Sequence, residues 1–507
     1  MARKVAVPTP AAGAPARFPL PSLIIPAVYI AALVYARDWI PVGLNNDAAA
    51  EGLRGLYLVG GPHFEVITFS VGNSAETLYL YLDGVMAKLL GPTTLSLQLT
   101  GWLFALACML LVWKLVERIS STVPAWVPLL TTACSLWLFH YARSGLRAIS
   151  APVFLAAFTL LLDRAERRPG ERREGLLCGA ILGLSIYAYT SARILPIAFL
   201  LYAAQRLVRS GNGRRGRLRV YAGVMLGAFI VSVPNFLFFV NHPHEFLSRG
   251  NYVLRGTAAD DVINVVWSAL CPLVYPDVYR TIAGRTFLFD GVSAGLTSAG
   301  FSPLHIVYSL ALLLGIWQLR RFWNTVAANY LVCVWIASVL ILGISGPSLT
   351  RLLILLPVYL VFVALGFGYV IEWRASARYI VLALVLWVGV NSGYEYLSGA
   401  GASPEYYGGP ATAIGEAAAS LGVQGRRVLC IIARDSSVVQ FLIHNETTQI
   451  RIAEFYQRPL NAAELPSDFL PDSLLVEKSP AFAQFLARIR PELIIGNNPR
   501  FVQVRLR

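Results

Sequence analysis

The sequence predicts an α-helical polytopic membrane protein of about 11 spans, closed by a small C-terminal α/β domain. Three observations predict it. The chain is 56% hydrophobic and only 14% charged, with a mean hydropathy of +0.60. Its apolar runs recur at the roughly 20-residue length that a bilayer demands. Its cations gather in short loops between those runs. A soluble chain carries about 25% charged residues, so 507 residues this apolar could not cover a water-facing surface. A cytosolic globular enzyme, a disordered scaffold and a secreted disulfide framework are excluded together.

The net charge of +14, from 42 Lys+Arg against 28 Asp+Glu, invites a nucleic-acid reading until the cations are located. They occupy Arg3, Lys4 and Arg17; Lys114 and Arg118; the stretch 163–174; the acid-free stretch 206–219; Arg320 and Arg321; and Arg374 and Arg378. This is the loop bias of a cytoplasmic membrane face, where arginines meet anionic headgroups, and nucleic acid drops out as a partner. Cys108, Cys134, Cys178 and Cys333 fall inside apolar runs, and only Cys271 and Cys430 lie where water is expected. No metal spacing appears among them, so they read as packing residues.

Residues 1–21 form a basic cytoplasmic tail, and a transmembrane catalytic domain is expected over 22–396. Its spans are 22–40, 96–116, 124–141, 148–162, 175–189, 193–209, 219–240, 301–319, 326–344, 350–371 and 378–396. The odd count puts the N-terminus inside, and every arginine-rich loop then falls on the cytoplasmic face. The first span contains Pro26 and ends at Arg37-Asp38; with no small-x-small cleavage site after it, it reads as an anchor rather than a signal peptide. Residues 77–90 (TLYLYLDGVMAKLL) are short and carry Asp83 and Lys88, so an interfacial helix with its polar face in the headgroups is expected instead of a span. Outer loops cover 41–95 and 241–300. Residues 397–507 alternate β-branched runs with helical ones, as a small extracytoplasmic α/β domain would. The chain is therefore placed in the cell (inner) membrane, multi-pass, with its C-terminal domain outside.

The first outer loop holds the acids of interest. Asp47 follows the first span and opens an Ala-rich stretch, which predicts a helix with Asp47 at or near its N-cap and Glu51 one turn later on the same face. Capping alone explains Asp47, and opening the next helix would explain Glu76. Arg143, Arg147, Arg193, Arg249, Arg255 and Arg351 fall at outer span ends, against the charge bias. Lipid phosphate or a neighbouring carboxylate accounts for any one of them; several converging near Asp47 would suit an anionic ligand, because guanidinium forks match phosphate oxygens. His242-Pro243-His244-Glu245, with His63, suggests a metal, but two histidines around a loop proline read more simply as solvent-exposed. A divalent ion on Asp47 or Glu76 is compatible with these acids and not required by their spacing.

The order of NNDAAAEGLRG, SAETLYLYLDGVMAKLLGP, HYARSGLRAISAP, HPHEFLSRG and SGPSLTRLLILLPVYL resembles the GT-C-type lipid-linked sugar transferases, specifically the bacterial relatives of protein O-mannosyltransferases and of lipid A aminoarabinose transferases. The resemblance runs to about residue 396, with the tail matching only loosely. It implies that Asp47 is the catalytic base, with Ala48 standing where an adjacent Glu is often found, so that Glu51 or Glu76 would have to supply a second acid. It implies catalytic roles for Asp47 and Glu76 and donor-phosphate contacts from Arg143 and Arg351; Arg249, Glu51 and His63 are further candidate substrate contacts. The implied reaction is inverting transfer from a polyprenyl-phosphate sugar to a glycan, glycolipid or protein acceptor, in contact with membrane lipid. Such a donor carries its own leaving group, so one base suffices, without the paired carboxylates of glycoside hydrolysis. A lipid or glycolipid flippase would instead show acids deep in its spans and internal repeats, which the sequence lacks. A noncatalytic assembly protein docking partners through its tail is the third reading.

Overall fold

The computed structural model describes residues 20–35, 43–243, 304–399 and 409–505, with short breaks at 63, 71–72, 170, 210–212, 345–348, 434, 447–448, 456–470, 480–481 and 490–492. His63, Arg249 and most of the expected outer loop at 241–300 lie outside the described residues.

Helix occurs at each of the eleven positions expected to span. In chain order these are α1 (Pro21–Tyr35), α4 (Thr94–Ile119), the pair α5 (Trp126–Ala133) and α6 (Leu136–Ser144), α7 (Ser150–Arg167), α8 (Arg172–Ser185), α9 (Ile194–Val208), α10 (Arg214–Asn241), α11 (Ile306–Phe322), α12 (Val326–Ile344), α13 (Leu349–Leu352) running into α14 (Leu356–Trp373), and α15 (Ala377–Gly399). Between α1 and α4 lie α2 (Asn46–Gly60), strands β1 (Ile67–Ser70) and β2 (Asn73–Glu76), and α3 (Leu78–Leu90). Among the described residues six helical stretches are long and apolar enough to cross a membrane: Thr94–Ile119, Arg147–Arg167, Thr190–Val208, Arg214–Asn241, Leu349–Trp373 and Ala377–Tyr394. The expected figure of eleven therefore rests, for the rest, on short or broken helices. One break has a plain cause: Ser135 stops α5 from continuing and caps α6 by accepting from the Leu138 N–H.

The bundle is built around α14, apolar on all sides and enclosed through most of its length. At the end of the bundle that carries the arginine-rich loops, Glu166 of α7 accepts from the Tyr202 and Tyr221 hydroxyls (2.5 Å each) and from Arg206 (3.0 Å), tying α7, α9 and α10 together. The acid is thus neutralised where it is buried, and the remaining arginines stay at the surface.

α3 departs from expectation. Its inward stripe is Tyr79, Leu80, Asp83, Gly84 and Ala87, so Asp83 is fully buried rather than turned toward headgroups, while Lys88 remains exposed. The reason is the α2–α3 crossing. A Cβ on Gly84 would lie 2.0 Å from the Gly55 carbonyl oxygen, so only paired glycines allow the two backbones this close, and the residue before Gly84 is carried inward with it.

The C-terminal domain opens with α16 (Gly409–Val423) and continues as β3 (Val428–Ile432), α17 (Ser436–Leu442), β4 (Ile450–Glu454), β5 (Ser473–Glu477), α18 (Ala483–Arg488), β6 (Ile494–Asn497) and β7 (Phe501–Arg505). The sheet order is β4-β3-β5-β7-β6, parallel across β4, β3 and β5 and antiparallel from β5 to β6. Central β3 is buried at every position, as its unbroken VLCII run requires. Phe441 of α17 seats against α2 at Gly52, and the Leu44 N–H donates to the Thr412 hydroxyl of α16 (2.8 Å). The domain thereby rests on the helix that carries Asp47.

Candidate active site

α2 begins where the sequence predicts, with Asp47 near its cap. Asn45, not Asp47, is the N-cap: its backbone is extended and its side-chain oxygen accepts from the Asp47 N–H (2.8 Å). Asp47 therefore stands in the first turn, exposed, where an acid meets the positive end of the helix favourably. Glu51, one turn on, is buried.

Glu51 and Glu76 meet through Arg147. The Arg147 Nε is 2.8 Å from Glu51 Oε1 and its Nη1 3.2 Å from Glu76 Oε2. The Arg147 backbone N–H also donates to Glu51 Oε2 (3.2 Å). Glu76, 1% exposed, takes a second guanidinium from Arg193 (2.8 Å) and the Thr190 hydroxyl (2.8 Å) on its other oxygen. Both arginines sit in 3₁₀ turns, Arg147–Ile149 and Thr190–Arg193, immediately ahead of α7 and α9. The first turn follows Gly145, the left-handed C-cap of α6 (φ 68°), where a side chain would be strained. That reversal brings the Arg147 amide to Glu51.

Burial pushes the Glu51 carboxyl up to about 7; the Arg147 charge and amide bond oppose the rise, the Asp47 charge adds to it, and the Arg54 charge opposes it. Burial also holds the Asp83 carboxyl well above its ordinary range, against the Thr100 hydroxyl and with the Glu51 charge. Glu76 is the last residue of β2 rather than the opening of α3, so it serves as an ion-pair node and not as a dipole partner.

The other expected residues distribute unevenly. Arg351 is half-buried in α13, whose short helix packs against the turn bearing Arg193. Tyr141 of α6 and Thr350 share a 2.7 Å hydrogen bond beside it. Arg143, 1% exposed, aims its Nη1 at the Leu33 carbonyl of α1 (3.2 Å). The structure thus joins Glu51 and Glu76 and turns Arg143 to the first helix. Sequence reading had noted Arg147 and Arg193 without weighting them, and missed Thr190. Their shared signal was an arginine just ahead of an apolar helix with proline in its first turn (RAISAP, RILP).

Among the described residues no group of three or more His, Cys, Asp and Glu is arranged to hold a metal ion. One oxygen of Glu51 and both of Glu76 lie within ion-pair distance of a guanidinium, so Arg147 and Arg193 bring positive charge to this place.

With this geometry in view, residues 77–238 match the family described as dolichyl-phosphate-mannose-protein mannosyltransferase. The fold is similar to that of ArnT from Cupriavidus metallidurans in the apo state (TM-score 0.57, 14% identity, 95% of this chain and 97% of that one) and bound to undecaprenyl phosphate (0.53, 12%, with the same coverage). It is also similar to the Archaeoglobus fulgidus oligosaccharyltransferase in the apo form (0.51, 12%, 90% of this chain and 69% of that one), which has also been solved in complex with Zn and sulfate. No curated protein gives a significant sequence match. At such identities the structural likeness speaks for the fold. The family match covers residues 77–238 of the 507, and the likeness in fold to ArnT runs over 95% of the chain.

Proposed function

We propose that the protein transfers a sugar, with inversion, from a polyprenyl-phosphate donor to an acceptor hydroxyl or amine at the outer face of the cell (inner) membrane, with its N-terminus cytoplasmic. One observation carries this reading. Asp47 remains exposed in the first turn of α2 while the acid one turn below it is locked to Arg147. The exposed carboxylate can take a proton, and the buried network holds α2 in place beneath it.

In the reaction, Asp47 removes the proton as the acceptor oxygen or nitrogen attacks the anomeric carbon. The bond from that carbon to the phosphate oxygen breaks, and the electron pair leaves with the polyprenyl phosphate. Arg351, beside the Arg193 turn, is assigned to the departing phosphate, since charge that builds in the transition state is best met by a prepositioned guanidinium. Arg143 supports that end of the bundle from its contact with α1. Glu76 acts by orienting Arg147 and Arg193. The undecaprenyl phosphate bound by ArnT favours a lipid phosphate as the leaving group. Acceptors of this chemistry are glycans, glycolipids or proteins, and the reaction as written has no metal step.

The test is Asp47→Asn in membranes supplied with polyprenyl-phosphate sugar, reading released polyprenyl phosphate and the anomeric configuration of the product. Loss of a general base predicts a fall of about 10²- to 10⁴-fold. Transfer at the normal rate by Asp47→Ala would favour an assembly role, and lipid movement with no covalent product would favour a flippase.

A further inference from the structure

The C-terminal domain carries a cleft of about 480 Å³ that the reaction above does not use. One wall is the α16 face formed by Ala413, Glu416 and Ala417, and the other is the turn at residues 498–501 that joins β6 to β7. That turn is set by its own bonds. The Asn498 side chain accepts from the Arg500 N–H (2.9 Å), and the Asn498 N–H donates to the Phe501 carbonyl (3.0 Å). Pro499 restricts it further. Arg500 is therefore presented by a preorganised loop, with Glu416 on the opposite wall and two alanines and Phe501 supplying apolar surface.

We propose that this cleft is a saccharide-binding subsite that receives the acceptor. The inference deepens the transferase reading and rests on it for the word acceptor alone. Its volume lies in the range of small-ligand sites, about 300–1,000 Å³. A carboxylate and a guanidinium on opposing walls match the ring of hydroxyls around a sugar, which both donate and accept, and small apolar residues match its C–H faces. A peptide fits less well. Extended peptides bind by pairing with free main-chain groups, and the turn's Asn498 and Arg500 N–H groups are already bonded within the loop. Position supports an acceptor role. Ala413 directly follows Thr412, whose hydroxyl holds the Leu44 N–H, so this wall of the cleft is tied to the chain three residues before Asp47.

The experiment uses the full chain in detergent micelles and saturation-transfer NMR with methyl α-mannoside, methyl α-glucoside and methyl β-galactoside, each at on the order of 10 mM, beside a neutral serine-containing heptapeptide. At least one glycoside should receive saturation, falling several-fold in Arg500→Ala and in Glu416→Gln. Ala417→Leu, which fills the cleft without removing a charge, should give the same loss, and melting temperatures confirm that each variant is folded. No transfer to any glycoside, undiminished transfer in all three variants, or transfer to the peptide alone overturns the proposal. Because binding is read without turnover, its failure is separable from failure of the transferase reading. In a transfer assay Arg500→Ala and Glu416→Gln should each raise the acceptor KM about tenfold, the scale of one lost charged hydrogen bond.

Discussion

Arg147 joins two acids that lie 25 residues apart in the chain, and its removal takes the guanidinium from buried Glu51 and leaves Glu76 with Arg193 alone. Breaking a buried pair from one side costs about 3–5 kcal/mol, so Arg147→Met should lower the melting temperature in detergent well beyond Arg193→Ala, whose side chain is 30% exposed. Equal shifts for the two would refute the hub role. Glu51 supplies a pH dependence. Its folded carboxyl titrates near 7 against an ordinary 4.5, so within that window the folded chain binds the proton more tightly than the unfolded one. Stability is then greatest below the window and declines as pH rises through it, levelling above about 7. Thermal melts across this range should show that decline, and Glu51→Gln should flatten it. Asp47 was legible in the sequence as an acid at a helix start; that Glu51 would be enclosed one turn later was not, because burial depends on α3 and the Arg147 turn closing over it.

At the scale of elements, the site depends on how closely α2 can approach its neighbours. Gly84 and Gly55 allow the contact with α3, and Gly52 leaves room for Phe441. Gly84→Val would drive a branched side chain into the Gly55 carbonyl, and displacement of α2 should cost both stability and transfer, as overpacking typically costs about 1–3 kcal/mol. Phe441→Ala, which opens space rather than filling it, should cost stability by cavity formation, about 3–5 kcal/mol for a buried Phe; its aromatic ring is fully buried. Full stability of either variant in a chemical melt would show that α2 is held by other contacts. The amphipathic pattern of 77–90 was readable, yet its inward face was not. Hydrophobic periodicity defines a stripe, and the paired glycines decide which polar residue is carried in with it.

For the whole molecule, the charge bias predicts a cytoplasmic N-terminus and an outer C-terminal domain. A cysteine introduced at exposed Arg451 should react with an impermeant maleimide in intact cells, whereas one at exposed Arg215 should react only after permeabilisation; the reverse pattern would invert the topology. Composition and the spacing of apolar runs were enough to determine a helical membrane protein, the positions of most of the described bundle helices and the existence of an α/β tail, because each of these follows from local hydrophobicity and chain length. The crossing count was less accessible, since a run such as 124–141 is apolar throughout and yet breaks where Ser135 caps a new helix. Only the tertiary structure decided that Glu51 and Glu76 share Arg147 and that the tail rests on α2. Those pairings join residues distant in the chain, and their energies arise from desolvation and close packing that no local pattern records.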